Sequence, residues 1–392
     1  MITPAQAEKL MANHQLELQT EIILLEEALH RVLAEDLIAD SDLPPFNRVM
    51  MDGIAINFRS LELGHRSFRI QAMQRAGEAP ITLENENECI EIMTGAVCSI
   101  GCDTVIPYEH LRISQGIAHI EILPEAAGKN VHMQGRDKRK GDTLVTSGSI
   151  IQAPEIGIAA SVGKHMLTIK RLPRVLICST GDELVEIDET PLAYQIRRSN
   201  AYALSAMMQI LGIHAVNSHL PDEIDSLRES ISYGLNTYDV VILSGGVSKG
   251  KFDLLPKILN DLKVDTVFHG IAQRPGKPMW FGKTSKTTVF ALPGNPVSTL
   301  ACAARYVLPW LRNQMGQPSS ELWVSPENTP TAHEKMSLFL PAKLSYSTGK
   351  IMAAALQNQG SGDFSALVGA DGFMEVNPGV SNNDYLRFYP LK

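Results

Sequence analysis

Residues 240–248, with the sequence Val-Val-Ile-Leu-Ser-Gly-Gly-Val-Ser, decide the fold. The apolar, mostly β-branched start of this stretch indicates a strand buried on both faces, and the serine and glycines after it indicate a turn. Similar apolar runs at 175–178 and 289–292 lead into Ser-Thr-Gly-Asp-Glu and Pro-Gly-Asn-Pro. Strands of this kind, separated by helical patterns, predict βαβ units and a parallel sheet flanked by helices.

The segments between and after these strands have helical patterns. Residues 199–211 and 224–231 carry apolar side chains at helical spacing. A longer helix is expected to begin at Asn295-Pro296, with asparagine as the N-cap and proline at the first helical position. We therefore predict an α/β domain over residues 171–316.

The rest of the chain is expected to form one helical and two β domains. The first forty residues predict a helix, with a capped start at Thr3 and an apolar stripe from Leu25 to Leu33. Residues 66–132 alternate with a period of two, and turns and short strands dominate after residue 320. The predicted fold is multidomain α/β, with an N-terminal helical domain (1–41 plus 133–170), an inserted β domain (42–132), the central parallel-sheet domain (171–316) and a C-terminal β domain (317–392).

Composition and charge exclude several classes of protein. Of the 392 residues, 44% are hydrophobic and 20% are charged, a globular balance that excludes a disordered or fibrous protein. The net charge of −8 argues against a general nucleic-acid binder. No apolar run approaches the length of a membrane span, and the N-terminus lacks a signal-peptide pattern, so we expect a cytoplasmic protein.

Cysteine usage points to the same compartment. The five cysteines include no Cys-x-x-Cys pair, and their number is odd. We therefore expect free thiols that pack as small core residues, rather than disulfides or zinc ligands. These are Cys89, Cys98, Cys102, Cys178 and Cys302.

Three loops have the composition of an anion site. At Gly245-Gly246 the missing side chains let backbone N–H groups approach an anion, and Ser248 adds a hydroxyl donor. The helix start at Asn295, with Ser298 in its first turn, favours a phosphate or oxyanion. Residues 274–278, Arg-Pro-Gly-Lys-Pro, hold two cations on a stiff turn. Each feature also has a purely structural interpretation, as a turn, a helix cap or a solvated loop.

Carboxylates occur at further strand ends and loop starts. Asp182-Glu183 and Asp222-Glu223 follow predicted strands, and Asp253 follows the glycine loop. Several carboxylates near an anion pocket are a typical donor set for Mg²⁺, which takes oxygen ligands and bridges phosphates. A single carboxylate in such a position is more often a helix N-cap or first-turn acid, so the prediction depends on their occurring together.

Other polar segments carry no chemistry by themselves. Residues 50–53 and Thr94-Gly95 are predicted to be turns. The basic run 136–141 indicates a solvated hairpin or, alternatively, an anion site. The histidines lack metal-ligand spacing and are expected to be structural or exposed: His132, His214, His219 and His269.

Taken together, these loops resemble those of the molybdopterin molybdenumtransferase family, which includes the bacterial insertase and the E domain of gephyrin. The matching motifs follow the family order and cover nearly the whole chain. They are Asp-Leu-Pro-Pro-Phe (42–46), Met-Asp-Gly-Ile-Ala (51–55), Ile-Met-Thr-Gly-Ala (92–96), Ser-Thr-Gly-Asp-Glu-Leu (179–184), Gln-Ile (195–196), Ser-Asn (199–200), Asp222, Ser-Gly-Gly-Val-Ser (244–248), Gly250, Asp253, Pro-Gly-Lys-Pro (275–278), Leu-Pro-Gly-Asn-Pro-Val-Ser (292–298) and Gln-Gly-Ser-Gly (359–362).

The resemblance implies a specific activity and assembly. It implies an elongated homodimer with four domains per chain, in which the β domain of one subunit completes the pterin-binding α/β domain of the other. It also implies Mg²⁺-dependent insertion of molybdate into adenylylated molybdopterin, with release of AMP. The implied partners are a second copy, the pterin substrate and other enzymes of molybdenum cofactor biosynthesis, but neither nucleic acid nor a membrane.

The resemblance also assigns roles to individual residues. Asp52, Thr94 and Glu183 match residues associated with activity, and Asp222 and Asp253 match acidic residues at the metal and phosphate site. Residues matched to substrate binding are Ser179, Asn200, Gly245, Gly246, Ser248, Lys277, Gly294 and Asn295, with Ser298 and Ser361 on the molybdate side.

The chain departs from the family pattern at several charged positions. His132 stands where an arginine is usual, and Arg274 stands where a lysine is usual. Arg136 and Arg198 replace acids, and Arg48-Val49 replaces Asn-Ser. Two changes from acid to arginine add positive charge where the resemblance implies a polyanionic ligand, which predicts tuned affinity or a diverged paralogue.

Two rival functions are weighed against the molybdenum-inserting transferase. A related adenylyltransferase uses a similar α/β domain, but it usually consists of that domain alone, whereas about 170 residues precede the domain here. A non-catalytic scaffold is the other alternative, against which the presence of Asp52, Glu183, Asp222 and Lys277 argues.

Overall fold

The computed structural model describes residues 1–247, 254–317, 321–328, 330–347, 349–357, 359–380 and 385–391. These residues form two compact units. Met1–Glu21 and Ile169–Lys392 make unit 1, and Ile22–Thr168 makes unit 2, so unit 2 is an insertion in the sequence of unit 1. The segment before residue 22 thus packs with the second half of the chain. The four-domain division remains a prediction.

The N-terminal segment begins with a capped helix, α1 (Pro4–Ala12), and β1 (Thr20–Leu24) follows it. The Thr3 hydroxyl accepts the N–H of Gln6, and the Gln6 side chain accepts the N–H of Thr3. This reciprocal capping box satisfies two amide groups that a helix start leaves free, and it confirms the predicted start.

The predicted helical stripe from Leu25 to Leu33 is wrong. Apart from one 3-10 turn at Leu25–Glu27, these residues are non-helical, and His30 has a positive φ of 63°. The Leu33 N–H bonds to Ser149 O at 2.9 Å, a partner far away in sequence. Long-range pairing therefore overrides a spacing that would suit a helix, because tertiary contacts outweigh local propensity.

Unit 2 contains a six-stranded β-sheet, in agreement with the β structure that the sequence predicted for residues 66–132. Its strand order is β7-β4-β6-β5-β9-β8. The unit also contains two α-helices, of which the first is a single turn. The helices are α2 (Arg59–Glu62) and α3 (Ala153–Ser161); the strands are β2 (Leu37–Ile38), β3 (Arg48–Val49), β4 (Gly53–Ile56), β5 (Ser67–Gln74), β6 (Glu88–Ile92), β7 (Thr104–Pro107), β8 (Leu111–Ser114), β9 (Ile117–Ile120), β10 (Val131–His132), β11 (Thr143–Val145) and β12 (Met166–Lys170).

The predicted parallel sheet lies in unit 1. The strands β16, β13, β17 and β21 are adjacent in that order and parallel, and β20 and β18 extend the sheet in antiparallel fashion. Every residue of β13, β17 and β21 is buried, because helices cover both faces. The strands of this sheet are β13 (Val175–Thr180), β16 (Val216–Leu220), β17 (Val240–Ser244), β18 (Asp265–His269), β20 (Trp280–Lys283) and β21 (Thr288–Leu292). Outside this sheet, β14 (Leu184–Val185) pairs with β15 (Ile196–Arg197), and β19 (Gln273–Arg274) belongs to a second sheet.

The helices beside this sheet, apart from α6, lie where apolar stripes predicted them. They are α4 (Ser199–Gln209), α5 (Ile224–Thr237), α6 (Leu255–Asp261), α7 (Pro296–Cys302) and α8 (Leu308–Met315). A π-helical turn, Ala303–Val307, joins α7 to α8, so the long helix predicted from Pro296 is continuous but irregular. Every residue of that turn is buried, including Arg305.

The C-terminal residues form a second sheet of unit 1, in the order β19-β23-β24-β22-β26-β25. This agrees with the β domain predicted there. The strands are β22 (Leu322–Pro326), β23 (Ser337–Ser347), β24 (Lys350–Ala355), β25 (Gly372–Val376) and β26 (Leu386–Pro390), with a 3-10 turn at Phe364–Leu367.

A charged cluster with a buried centre joins these parts of unit 1. The Arg305 Nη2 atom donates to Glu8 of α1 at 2.7 Å, and its Nε lies 3.3 Å from Glu375 Oε2 of β25. Arg387 of β26 donates to the same Glu8 carboxylate, and the Tyr389 hydroxyl donates to Glu375. We call Glu8, Arg305, Glu375, Arg387 and Tyr389 the Arg305 cluster; it connects segments nearly 380 residues apart in sequence.

Among the described residues, no helix is long and apolar enough to cross a membrane.

Candidate functional site

A cavity of about 1120 Å³ lies in unit 1, at the carboxyl ends of the parallel strands. Ligands of open α/β sheets bind at this edge. Eleven residues selected from the sequence line it: Ser179, Glu183, Asn200, Asp222, Gly245, Gly246, Lys277, Gly294, Asn295, Ser298 and Ser361. Two others, Ser248 and Asp253, lie outside the described residues.

The loop after β17 requires glycine. Gly245 has a φ of 102°, which L side chains rarely adopt, and a Cβ there would lie 2.7 Å from the Thr180 carbonyl oxygen. The backbone can therefore turn sharply against the end of β13 and form part of the cavity wall.

The Asn200 side chain connects three of the elements that form the cavity. Its Nδ2 donates to Gly294 O at 2.7 Å and to Ser244 Oγ at 3.1 Å, and lies 3.3 Å from Thr299 Oγ1. Gly294 follows β21, Ser244 is the last residue of β17, and Thr299 lies in α7. The amide thus fixes the relative positions of loops that the sequence predicted separately, a positioning role that the asparagine alone did not reveal.

The start of α7 differs in detail from the prediction. Asn295 occupies the N-cap position, but its side chain makes no capping bond and donates instead to Ser361 Oγ at 2.8 Å. The Val297 N–H donates to the Ser361 carbonyl oxygen at 3.1 Å. Ser361 thereby occupies an amide that was expected to be free for an anion, and it brings the C-terminal loop to the cavity.

A buried glutamine supports the cationic turn 274–278, whose two charged side chains are exposed. The Gln273 side chain is buried, and its Nε2 donates to Pro275 O at 3.1 Å. Arg274 and Lys277 are exposed, and within the described part of the chain neither forms an ion pair. The turn therefore presents positive charge at the cavity wall that no described carboxylate pairs with.

Carboxylates also line the cavity. The Asp222 N–H donates to Asp182 Oδ1 at 3.0 Å, and Glu183 and Asp222 both line the cavity. Burial raises the pKa of Asp222, and the negative charges of Asp182 and Glu183 raise it further. Such mutual repulsion would be relieved by a cation. The described residues contain no cluster of three or more metal-ligating side chains.

Asp52 and Thr94 belong to unit 2, where they contact each other. The N–H of Thr94 donates to Asp52 Oδ1 at 2.7 Å, and the Thr94 hydroxyl donates to the same oxygen at 2.9 Å. These two bonds lower the pKa of Asp52, whose side chain is exposed. The pair therefore presents an ionised carboxylate with a fixed orientation.

The charged residues that depart from the family pattern lie in different parts of the structure. Arg198 lines the cavity and pairs with Glu186 at 2.7 Å, whereas Arg136 is an exposed residue of unit 2. His132 Nε2 lies 2.9 Å from Asp137 Oδ1. Of the two arginines expected beside an anion pocket, Arg198 alone lines the cavity described here.

Sequence reasoning missed part of the cavity wall. Thr331, His333 and Met336, which precede β23, line the cavity, as does Gln273. No motif marks the residues before β23, because they reach the site through the pairing of β23 with β19. Gln273 had a local signal in its position directly before the Arg-Pro-Gly-Lys-Pro turn.

Comparison with known proteins matches each part of the chain. Residues 2–163 match the model of the MoeA N-terminal region (domains I and II), and residues 176–313 match a probable molybdopterin binding domain. Residues 329–384 match the MoeA C-terminal region (domain IV). The chain is also 38% identical, over 96% of its length and 95% of the relative's, to a molybdopterin molybdenumtransferase of Synechocystis sp..

The chain belongs to the molybdopterin molybdenumtransferase family. A second molybdopterin molybdenumtransferase, from Staphylococcus aureus, is 28% identical over 78% of this chain and 74% of the relative. A crystal structure of a molybdopterin biosynthesis MoeA protein from Pyrococcus horikoshii has a TM-score of 0.84 and 27% identity, and the alignment covers 100% of this chain and 99% of that one. The predicted family and multidomain α/β fold class are confirmed.

Proposed function

We propose that this protein acts in molybdenum cofactor biosynthesis, where it inserts molybdate into adenylylated molybdopterin and releases AMP. Cleavage of the adenylyl group leaves negative charge on phosphate oxygens. Fixed positive charge stabilises that charge as it develops, and no covalent intermediate with the protein is needed.

One observation carries the proposal: a single cavity is lined by Arg274 and Lys277, which form no ion pair with any described residue, and by the carboxylates Glu183 and Asp222. Cations suit the phosphates of the substrate, and carboxylates suit a divalent cation that bridges them. The cavity volume of about 1120 Å³ suits a ligand of the size of a pterin joined to a nucleotide.

The donor set also fits Mg²⁺. Protein sites for Mg²⁺ commonly supply one or two carboxylates, and substrate phosphates and water supply the other ligands. Asp222 and Glu183 would hold the ion together with Asp253, and the ion would neutralise charge on the departing phosphate. The repulsion that raises the pKa of Asp222 supports this assignment.

The proposal extends to a homodimer. Asp52 and Thr94 form a preorganised pair in unit 2, whereas the cavity is built by unit 1. We infer that unit 2 of one subunit completes the cavity of the other subunit, as the family resemblance implies.

The activity is tested by incubating the purified protein with adenylylated molybdopterin, molybdate and Mg²⁺ and following the release of AMP. Molybdate-dependent AMP release supports the proposal. Formation of adenylylated molybdopterin and pyrophosphate from ATP and molybdopterin would support the adenylyltransferase alternative. Pterin binding without either reaction would favour a scaffold.

Replacing Lys277 by alanine should weaken pterin binding by about 1.5–3 kcal/mol, the range for a hydrogen bond to a charged group. Calorimetric titration with adenylylated molybdopterin measures this loss. Lys286→Ala is the matched control, because Lys286 is an exposed lysine on the loop between β20 and β21 and does not line the cavity. Equal affinities of the two variants would remove Lys277 from the site.

Subunit complementation tests the shared site. Asp52→Asn and Asp222→Asn proteins should each be inactive alone, and a mixture should recover activity, because a hybrid dimer has one site in which both residues are intact. AMP release is measured before and after subunit exchange, which labelled subunits confirm independently. Exchange without any recovery would show that both residues act within one subunit.

A further inference from the structure

Arg198 lies in the wall of the cavity, immediately before the first residue of α4. Its side chain is only 10% exposed. The Nε atom donates to Glu186 Oε2 at 2.7 Å, and the guanidinium carbon lies 5.7 Å from the centre of the Tyr202 ring. The positive charge is therefore held in place by a carboxylate on one side and an aromatic ring on another.

This arginine has a donor without a partner. Its Nη1 atom is buried and makes no hydrogen bond to any described residue. A buried donor left unpaired is destabilising, so its presence calls for an explanation. The bond to Glu186 does not satisfy this donor, because it involves Nε and not Nη1.

Further unpaired polar atoms lie along the same wall. Ser179 Oγ and Thr180 Oγ1, at the end of β13, are buried without a hydrogen-bond partner among the described residues, and so is Asn200 Oδ1. Ser199 and Asn200, in the first turn of α4, also line the cavity. The positive end of the helix dipole at this turn favours a negatively charged ligand group.

We propose that Arg198 is a specificity-determining residue that donates a hydrogen bond to a tetrahedral oxyanion of the ligand, either phosphate or molybdate. Because Nη1 is buried in this structure, this contact requires a rotation of the Arg198 side chain that brings Nη1 to the cavity surface. The contact adds to those of the 274–278 turn, and so the inference rests on the proposed function. A guanidinium suits such a group because several N–H donors share one plane.

The test measures binding of two probes by calorimetry: AMP with Mg²⁺, and molybdate alone. Arg198→Gln should weaken one of them by about 10- to 100-fold, as expected for loss of a charge-assisted bond. The affected probe identifies the source of the oxyanion. Arg198→Lys should restore part of the affinity, and the salt dependence of binding should be less steep in the glutamine variant.

Two controls separate binding from structure. Glu186→Gln breaks the same ion pair but leaves the arginine, so it should keep or tighten probe binding. If Arg198 only braced the fold through Glu186, both variants would weaken binding equally. Arg228→Gln removes an arginine that is paired with Asp261 outside the cavity, and it should leave both affinities within twofold.

The inference and the proposed function fail in different ways. Unchanged binding of both probes by Arg198→Gln, with weakened binding by Lys277→Ala, would overturn the role of Arg198 and leave the function standing. Absence of probe binding by the unmodified protein, together with absence of AMP release from the full substrate, would overturn both.

Discussion

Replacing Arg305 by methionine is expected to lower the free energy of unfolding of unit 1 by about 3–5 kcal/mol, the range measured when one partner of a buried ion pair is removed. Arg305 is 2% exposed and Glu375 is 4% exposed, so the remaining carboxylate cannot be solvated. The guanidinium also stacks over the Tyr389 ring, 4.8 Å from its centre, and this contact would be lost as well.

Thermal and denaturant unfolding, followed by circular dichroism, measure the loss. Arg228→Met is the matched control, because Arg228 pairs with Asp261 at 2.9 Å while remaining 45% exposed. Exposed pairs contribute about 0–1 kcal/mol. The double variant Arg305→Met, Glu375→Gln should recover part of the loss. Equal stabilities of the Arg305 and Arg228 variants would show that burial of the cluster is energetically irrelevant.

Acidification should weaken the same cluster. Burial alone would raise the pKa of Glu8, but hydrogen bonds and charges from Arg387 and Arg305 outweigh it and hold the pKa below its ordinary value of 4.5. A carboxyl group whose pKa is lowered by folding stabilises the fold above its unfolded pKa. That contribution is lost as the pH falls through the folded pKa.

Replacing Asp222 by asparagine is expected to reduce AMP release by about 100-fold or more at fixed Mg²⁺, since a bound metal ion contributes several kcal/mol to such a reaction. The Mg²⁺ concentration needed for half-maximal rate should rise. The free energy of unfolding should not fall, because the variant removes one of three mutually repelling carboxylates, the others being Asp182 and Glu183.

Titration of AMP release with Mg²⁺ and thermal unfolding without metal provide the two readouts. Asp225→Asn is the matched control, because Asp225 is an exposed acid in the first turn of α5, the helix that begins two residues after Asp222. An Asp222→Asn protein with the parent's Mg²⁺ dependence would refute the ligand role. A large loss of stability would show that Asp222 serves the fold instead.

Local patterns explain why much of this site was predictable. The runs that became β13, β17 and β21 are apolar, and the residues after them are small or polar, so strand ends could be read directly from the sequence. Carboxyl ends of parallel strands share one edge, which is why Gly245, Asp222 and Asn295 were expected together. The Lys277 turn was marked by its own prolines and glycine.

The remaining features depend on contacts between residues distant in sequence. The stripe from Leu25 to Leu33 has helical spacing, yet its backbone pairs with Ser149 and other distant residues. Nothing in the sequence near Arg198 identified Glu186 as its partner, and nothing near Asn295 identified Ser361. Arg305 falls within the helix predicted to begin at Asn295, but nothing near it in sequence indicated that its charge is buried against Glu8 and Glu375.

The π-helical turn at Ala303–Val307 determines how the two ends of its helix are rotated relative to each other about the helix axis. Such a turn holds an extra residue relative to an α-helical turn, and each helical residue advances the helix by about 100°. The side chains of Pro296–Cys302 are therefore rotated about the helix axis, relative to those of Leu308–Met315, by an angle that differs from that of an uninterrupted α-helix. Deleting one residue there would rotate one end against the other, so either Ser298 would leave the cavity wall or Trp310 would leave the core. Length variation in this family is therefore expected to avoid this helix.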